Sequence, residues 1–532
     1  MNQVEVKRRQ MQLFSYCLAC INVWVFGRSL KNNGLAYLAA AFLVFQFFWI
    51  LTGKNVPDRL GRLLRGRSTK GQYKNVSKMR KNMMLFEIGS GVVCSLLCAA
   101  AGYLVIEKVF QIPYGSMILW ILCPALLFRC IQSVFLGYFQ SEGSELPSAI
   151  SGILRQIFYF GLGLLFLGIF KTYGEKVSLL LKKDDFTSMY GAMGVALGIV
   201  VAEFLLLVFV FVIYRGSSSG RREEKGMKGT DTFFGQIRVL LLSMGGDMIG
   251  QLLFYLPLWS GLILFQKSAS DIYASADNYG VFIGRYVTAV VLITVLLYLG
   301  ILPGAARAIA HYRKKEERYA KGALQAGIQG ILMHGLYFTA ISAVLAASLA
   351  RLTDSSVTLL LTEMFTWGSS LVLWLLLLGY CSEYLKMSGK NSLALLGYGI
   401  MDIVFIITDT ILLNMGGMGI LSVVIGSVAG TAAGAIALCV MVCIQCKTWP
   451  DGLRGLAIPA GSCCVCGLLA FGLEKILLPG LGAFVTVVLE FIITVVLYWF
   501  LLLLLRCLRG QDLTYISGGK WIRMLGKMCR LL

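Results

Sequence analysis

Fourteen apolar runs of about 20 residues, separated by short polar intervals, set the pattern of this chain. A helix rises 1.5 Å per residue, so some 20 apolar residues cross the roughly 30 Å hydrocarbon core of a bilayer. The candidate spans lie near 11–30, 35–57, 82–107, 115–140, 147–170, 188–214, 236–266, 275–303, 322–350, 356–386, 391–414, 417–445, 454–475 and 479–507. Asn22 and Arg28 make the first the least continuous. The pattern predicts an all-α polytopic membrane protein with about 14 transmembrane helices. The longest polar interval, Arg59 to Lys81, is too short for a soluble domain.

One stretch organises the rest. From Phe128 to Leu165 an apolar run, a short polar turn closed by Pro147, and a second apolar run form a predicted helical hairpin. Arg129 and Arg155 fall inside its two apolar runs. An unpaired cation there costs at least about 2.5–3.5 kcal/mol, so both are expected in a polar cavity or a buried ion pair.

A faint repeat suggests how the spans are grouped. Pro57, Arg67 and Tyr73 follow the second span, and Pro303, Arg313 and Tyr319 follow the eighth at the same offsets. Leu136-Gly137-Tyr138 near the end of the fourth span is echoed by Leu378-Gly379-Tyr380 near the end of the tenth. Two matches at nearly one displacement predict an N-lobe over 1–215 and a C-lobe over 236–446, each of six helices, joined by a linker at 216–235. Two further helices occupy 447–507, and a basic tail covers 508–532. Parallel repeats of this kind are a common build of secondary transporters, with substrate held between the lobes.

Composition narrows the class. Apolar residues make up 58% of the chain and charged residues 14%, with a mean hydropathy of +0.77. The net charge of +21 fits a membrane protein that gathers Lys and Arg on one side, and it does not require nucleic acid. With the N-terminus cytoplasmic, the inner loops hold about 34 of the 48 basic residues, which predicts cytoplasmic termini at both ends. The 15 cysteines are scattered through apolar runs and are expected to pack as small apolar residues. There are two histidines and no GxxxxGK[ST] motif, so neither a His-ligated metal nor ATP is expected. Transport would run on a Na+ or H+ gradient or on the membrane potential, which contributes about 2.3 kcal/mol per charge per 100 mV.

The intramembrane charges are uneven. In the first lobe Arg28, Lys54, Arg59, Arg62, Arg129 and Arg155 outnumber Glu87 and Glu203. Lys54, Arg59, Arg62 and Arg28 either line the cavity or extend to the headgroups. The second lobe is mixed, with Asp247, Asp277, Arg285, Glu363, Glu383, Asp402 and Asp409, and Glu490 lies in the last span. Asp247, Asp277 and Glu203 are the candidate ion-coupling groups, and Asp402 and Asp409 are assigned to packing. Guanidinium groups pair bidentately with phosphate oxygens, so this lobe favours an anionic, phosphorylated substrate over a cationic one.

The stretch LFRCIQSVFLGYFQSEGSELPSAISGILRQ resembles the fourth-to-fifth helix signature of the multidrug/oligosaccharidyl-lipid/polysaccharide (MOP) exporter superfamily. FGRSLKNNGLAYLAAAF, LYLGILPGAARAIAHY and SGKNSLALLGYGIMDIVF are similar to its first-helix, eighth-helix and tenth-to-eleventh-helix patterns. Fourteen helices resemble its lipid II flippase (MurJ/MviN) and stage V sporulation protein B branches; the drug exporters usually have twelve. The resemblance implies two six-helix lobes in a V, alternating access, and lipid-linked sugar pyrophosphates as substrate. It also implies a groove for a polyprenyl tail in the last helix pair, a bacterial inner-membrane location, and membrane lipids and cell-envelope polymerases as partners. By position, Arg28 matches the first-helix Arg, Arg62 the basic residue after the second-helix proline, and Gln156 the Gln of a Glu-Gln pair. Three positions depart: Leu136 stands where the family often has Arg, Arg155 replaces Glu, and Lys31-Asn32 replace a Gly turn.

The leading expectation is therefore a non-enzymatic flippase for a lipid-linked oligosaccharide or peptidoglycan precursor. A drug/cation antiporter of the same fold is the alternative, although it would want an acidic cavity. A membrane glycosyltransferase or ligase would need a long outer catalytic loop, and the longest outer loop, Lys171 to Ser188, is short. A structural scaffold leaves the deep arginines unexplained.

Overall fold

The computed structural model describes residues 3–182, 185–218, 231–268, 272–353, 358–415, 418–508, 513 and 519–528. Every regular element among them is helical. Much of the expected linker (219–230) and of the basic tail (509–512, 514–518 and 529–532) lies outside the described residues.

The first helix, α1 (Gln3–Leu51), has 49 residues, about 74 Å of helix and more than twice the bilayer core. It breaks at Lys31, whose φ of 59° and ψ of −179° are open essentially to glycine alone. After a turn at 52–55, α2 (Val56–Ser68) follows, where a polar interval was expected. Pro57 in its first turn needs no N–H partner. Val56, Leu60 and Leu64, four residues apart, bury one face of α2, while Arg62 and Arg65 are exposed and Arg59 and Arg67 are partly buried in ion pairs.

Next come α3 (Tyr73–Gly102), α4 (Gly115–Ser141), α5 (Leu146–Leu181) and α6 (Asp185–Ser218). The predicted hairpin is α4–α5, with a four-residue turn and Pro147 opening α5. Most of α4 is buried, as befits a helix apolar nearly all round with α2, α3 and α6 packed on it. The α5–α6 pair runs close together. A Cβ on Gly198 would fall 2.7 Å from Gly163 Cα, and one on Gly194 would fall 2.4 Å from the Phe166 carbonyl. Only glycine lets these backbones touch.

Beyond them lie α7 (Phe233–Ser268), α8 (Ile272–Val281), a π-helical segment Phe282–Val287, α9 (Thr288–Arg313), α10 (Glu317–Val344) and α11 (Ala346–Thr353). The chain ends with α12 (Thr358–Gly368), α13 (Leu371–Met387), α14 (Asn391–Asn414), α15 (Ile420–Cys446), α16 (Ile458–Leu504) and α17 (Gly519–Met528). Among the described residues, twelve stretches are long and apolar enough to cross a membrane, and the pair α12–α13, bent by 45°, makes a thirteenth. The first of these, Gln10–Ser68, is 59 residues long and broken at Lys31. Counted as the two crossings its length requires, it completes the expected fourteen. The chain is a multi-pass membrane protein.

The helices cluster into two compact units, Lys7–Gly284 and Arg285–Leu532. In the C-terminal unit, Gly426, Gly430 and Gly434 of α15 let α14 approach closely. Tyr498 on α16 donates to the Met333 carbonyl of α10 at 2.8 Å, and Tyr337 bonds Thr494 at 2.8 Å. The last long helix is thus tied to α10 over a core that includes Cys463, Cys466 and Cys507. The cysteines among the described residues are free, and most of them are buried.

Candidate functional site

The N-terminal unit carries a cluster of charged groups in its interior. Arg129 and Gln132 lie one turn apart on α4, Arg155 and Tyr159 one turn apart on α5, so each helix turns two polar side chains to one side. Between them stands Glu203 of α6, fully buried. Arg129 Nε donates to Glu203 Oε1 at 2.7 Å and Arg155 Nε to the same oxygen at 3.0 Å. Tyr159 also donates to Oε1, and Gln132 Nε2 donates to Oε2 at 3.0 Å. The ring closes through Arg155 Nη2 on Gln132 Oε1 at 2.8 Å and Arg129 Nη2 on the Tyr159 oxygen at 2.5 Å.

Two guanidiniums share one carboxylate, so the cluster keeps one net positive charge. Arg129 is covered by the rings of Phe45 and Trp49, at 5.0 and 5.5 Å. Its side chain is 9% exposed, against 22% for Arg155 and 0% for Glu203. Arg155 is the member that an approaching molecule would meet.

A second polar group joins the turn after α1 to α7. Asp247, Gln251 and Tyr255 are spaced by four residues and form a stripe on α7. Arg59 pairs with Asp247, with Nε at 2.9 Å. Gln251 donates to Asn55 at 2.8 Å, and the Lys54 ammonium sits 5.0 Å from the centre of the Tyr255 ring. Three expected site residues, Lys54, Arg59 and Asp247, therefore meet here, and three others, Arg129, Arg155 and Glu203, meet in the first cluster.

The remaining expected residues are placed as follows. Gln156 accepts from Asn22 Nδ2 at 3.1 Å and so ties α5 to α1. Arg28 stands apart, stacked on Trp24 at 4.3 Å. Arg62 is exposed and donates to the Asp58 carbonyl at 3.1 Å. Asp277 lies half-buried on α8. No group of three metal-ligating side chains occurs among the described residues. Asp402 and Asp409, assigned to packing, are buried on α14, Asp409 beside Gly426 of α15.

No family model and no curated protein matches the sequence. Solved structures do match. An inward-facing multidrug resistance MATE family transporter of the MOP superfamily aligns over 82% of this chain and 94% of its own, with TM-score 0.63 and 14% identity. The lipid II flippase MurJ, in an inward closed conformation, aligns over 93% of this chain and 98% of its own, with TM-score 0.65 and 12% identity. A MOP superfamily transporter from Pyrococcus furiosus, described as having a binding pocket of reverse polarity, aligns over 83% and 95% with TM-score 0.56 and 12% identity. The fold is that of the MOP superfamily transporters. The expected fold resemblance is therefore present in three dimensions, at an identity where sequence alone carries little.

Within this MOP fold, sequence reasoning missed Gln132, Tyr159, Asn22, Asn55 and Gln251. The signal for the first two was present: Gln132 is three residues after Arg129 and Tyr159 four after Arg155, the spacing of helix-face neighbours. Asn55 and Gln251 are 196 residues apart and meet only through packing.

Proposed function

We propose that this protein is a flippase of the bacterial cytoplasmic membrane that carries a lipid-linked oligosaccharide or peptidoglycan precursor by alternating access. The observation that carries this reading is the excess guanidinium at Arg129–Glu203–Arg155. A buried cluster with one net positive charge is incompletely neutralised, and charge inside a membrane protein is costly unless it is paired. A diphosphate entering beside Arg155 would supply the missing charge and accept bidentate bonds. A cationic drug would be repelled. The lipid II flippase also covers 93% of the chain against 82% for the multidrug transporter, as expected when fourteen crossings are present rather than twelve. Lys54, Arg59, Arg62, Arg28 and Gln156 belong to the headgroup path in this reading. Asp247 and Asp277 are the sites through which a Na+ or H+ gradient, or the membrane potential, would be coupled.

Native mass spectrometry of the purified protein tests it, with lipid II, an undecaprenyl-diphosphate oligosaccharide and a hydrophobic cationic drug as ligands. Selective retention of a diphosphate lipid is expected, and it should be lost in Arg155→Gln. Retention of the drug alone, or of the lipid equally in both proteins, overturns the assignment. A drug-only result makes the multidrug antiporter the better reading.

A further inference from the structure

A groove of about 560 Å³ opens on the flank of the N-terminal unit, where α3, α4 and α6 run side by side. Its nearest lining residues, Phe135 and Phe211, lie about 9 and 12 Å along α4 and α6 from Arg129 and Glu203, and none of the cluster's residues lines it, so it is a different place from the cluster above. Its two ends differ. Arg80 and Lys81 near the start of α3 and Arg215 near the end of α6 line one end, with no carboxylate in the lining. Leu85, Ile88 and Phe211 lead away from them, and each is exposed on the flank of the bundle, Leu85 by 65%. Phe135, Tyr138 and Tyr214 pack together behind, with ring centres 5.0 to 6.1 Å apart.

We propose that this groove binds one anionic glycerophospholipid of the surrounding bilayer, with its phosphate between Arg80, Lys81 and Arg215 and one acyl chain along Leu85, Ile88 and Phe211. Length, charge and donor supply agree. From Lys81 to Ile88 is about 11 Å along the helix, the step from a headgroup into the hydrocarbon. The cavity volume falls in the range of about 300–1,000 Å³ of ordinary small-ligand sites. The groove also sits at the end of the unit that carries the basic run from Arg59 to Lys81, where an anionic leaflet is attracted. Arg80 is held in place rather than free. It stacks on Tyr138 at 5.6 Å and pairs with Glu142, from outside the groove, at 3.2 Å. Its Nε still has no acceptor among the described residues. A soluble phosphate would leave the exposed apolar half of the groove unused, which is why a lipid is assigned.

The test uses delipidated full-length protein in detergent, titrated with phosphatidylglycerol and with phosphatidylcholine of the same acyl chains, and read by native mass spectrometry. One phosphatidylglycerol should be retained at least tenfold more tightly than phosphatidylcholine. Lys81→Ala/Arg215→Ala, at two exposed positions, should abolish that preference. Ile88→Trp should fill the apolar half and weaken both lipids. Arg155→Gln should leave the preference intact, which separates failure here from failure of the flippase reading. Equal retention of the two lipids by the wild type overturns the proposal. So does a preference that survives in the double variant while it elutes as a folded monodisperse species, or glycerol 3-phosphate binding as tightly as the lipid.

Discussion

Replacing Glu203 by Gln keeps the shape of the buried cluster and removes its only negative charge. In the wild type, Oε1 accepts from Arg129 at 2.7 Å, from Arg155 at 3.0 Å and from Tyr159, while Oε2 accepts from Gln132 at 3.0 Å. An amide has one accepting oxygen, and its NH2 must face one of these donors. Arg129, buried, and Arg155, partly buried, would then lack a counter-charge. Removing one partner of a buried ion pair costs about 3–5 kcal/mol. Arg155→Gln should cost less, about 1.5–3 kcal/mol for a charge-assisted bond, because Glu203 keeps Arg129, Tyr159 and Gln132. The double variant Glu203→Gln/Arg155→Gln should be more stable than the sum of the singles predicts, by roughly 0.5–3 kcal/mol. Denaturant unfolding in mild detergent, followed by tryptophan fluorescence, reads all three. Both singles lose stability, but diphosphate-lipid affinity should separate them by charge. Folded Glu203→Gln carries two net positive charges and binds more tightly, whereas Arg155→Gln binds more weakly. A Glu203→Gln protein within about 0.5 kcal/mol of wild type, or strictly additive variants, refutes the shared-carboxylate account. Equal loss of binding in both singles refutes the electrostatic part of it.

Three further outcomes are expected. The Arg59–Asp247 pair is about one-fifth exposed on each side, so Asp247→Asn should cost only about 0.5–1 kcal/mol. The exchanged pair Arg59→Asp/Asp247→Arg should recover part of that loss in the same unfolding assay. Lys31→Gly should stabilise the protein by about 1 kcal/mol, because Lys31 holds a backbone conformation suited to glycine. Gly482→Ala, at φ 74° and ψ 164° in the break of α16, should destabilise it by a similar amount; no change at either position would show that these breaks carry no strain. Gly198→Ala should push α5 from α6 and cost about 1–3 kcal/mol, and an unaltered unfolding midpoint would contradict the close approach at Gly163.

The crossings were legible because one physical quantity, the length of an apolar run against the bilayer core, decides them. The elements missed are those in which charge hides periodicity. Val56, Leu60 and Leu64 carry a helical repeat inside a stretch dominated by arginine, and α2 was read as part of a loop. Gly519–Met528 is the same case: Ile522 packs into the core beneath α16 while Trp521 is exposed, within a tail read only as basic. In the site, burial of Arg129 and Arg155 was legible from the cost of a bare cation in an apolar run. Their common partner was not. Glu203 lies 74 and 48 residues away from them, and nothing local distinguishes it from Glu87, which is also buried in an apolar helix. Only the packing of α4, α5 and α6 selects one carboxylate over the other.

That packing also bears on Leu136 and Arg155, two of the positions where the chain is expected to depart from the superfamily pattern it resembles. Leu136 is 8% exposed and sits in an apolar cluster with Leu60, Phe135 and Phe139, so its own surroundings have no place for a cation. Arg155 reaches back from α5 and places Nη2 on Gln132 of α4, one turn before Leu136. A guanidinium absent at 136 is thus supplied from the facing helix about 6 Å along the α4 axis. The carboxylate absent at 155 is met in the same way, by Glu203 arriving from α6. At this point of the bundle the positive charge is supplied from α4 and α5 and the negative charge from α6. Arg155 is the more exposed of the two arginines, so in the proposed reading it is the one that a headgroup would meet.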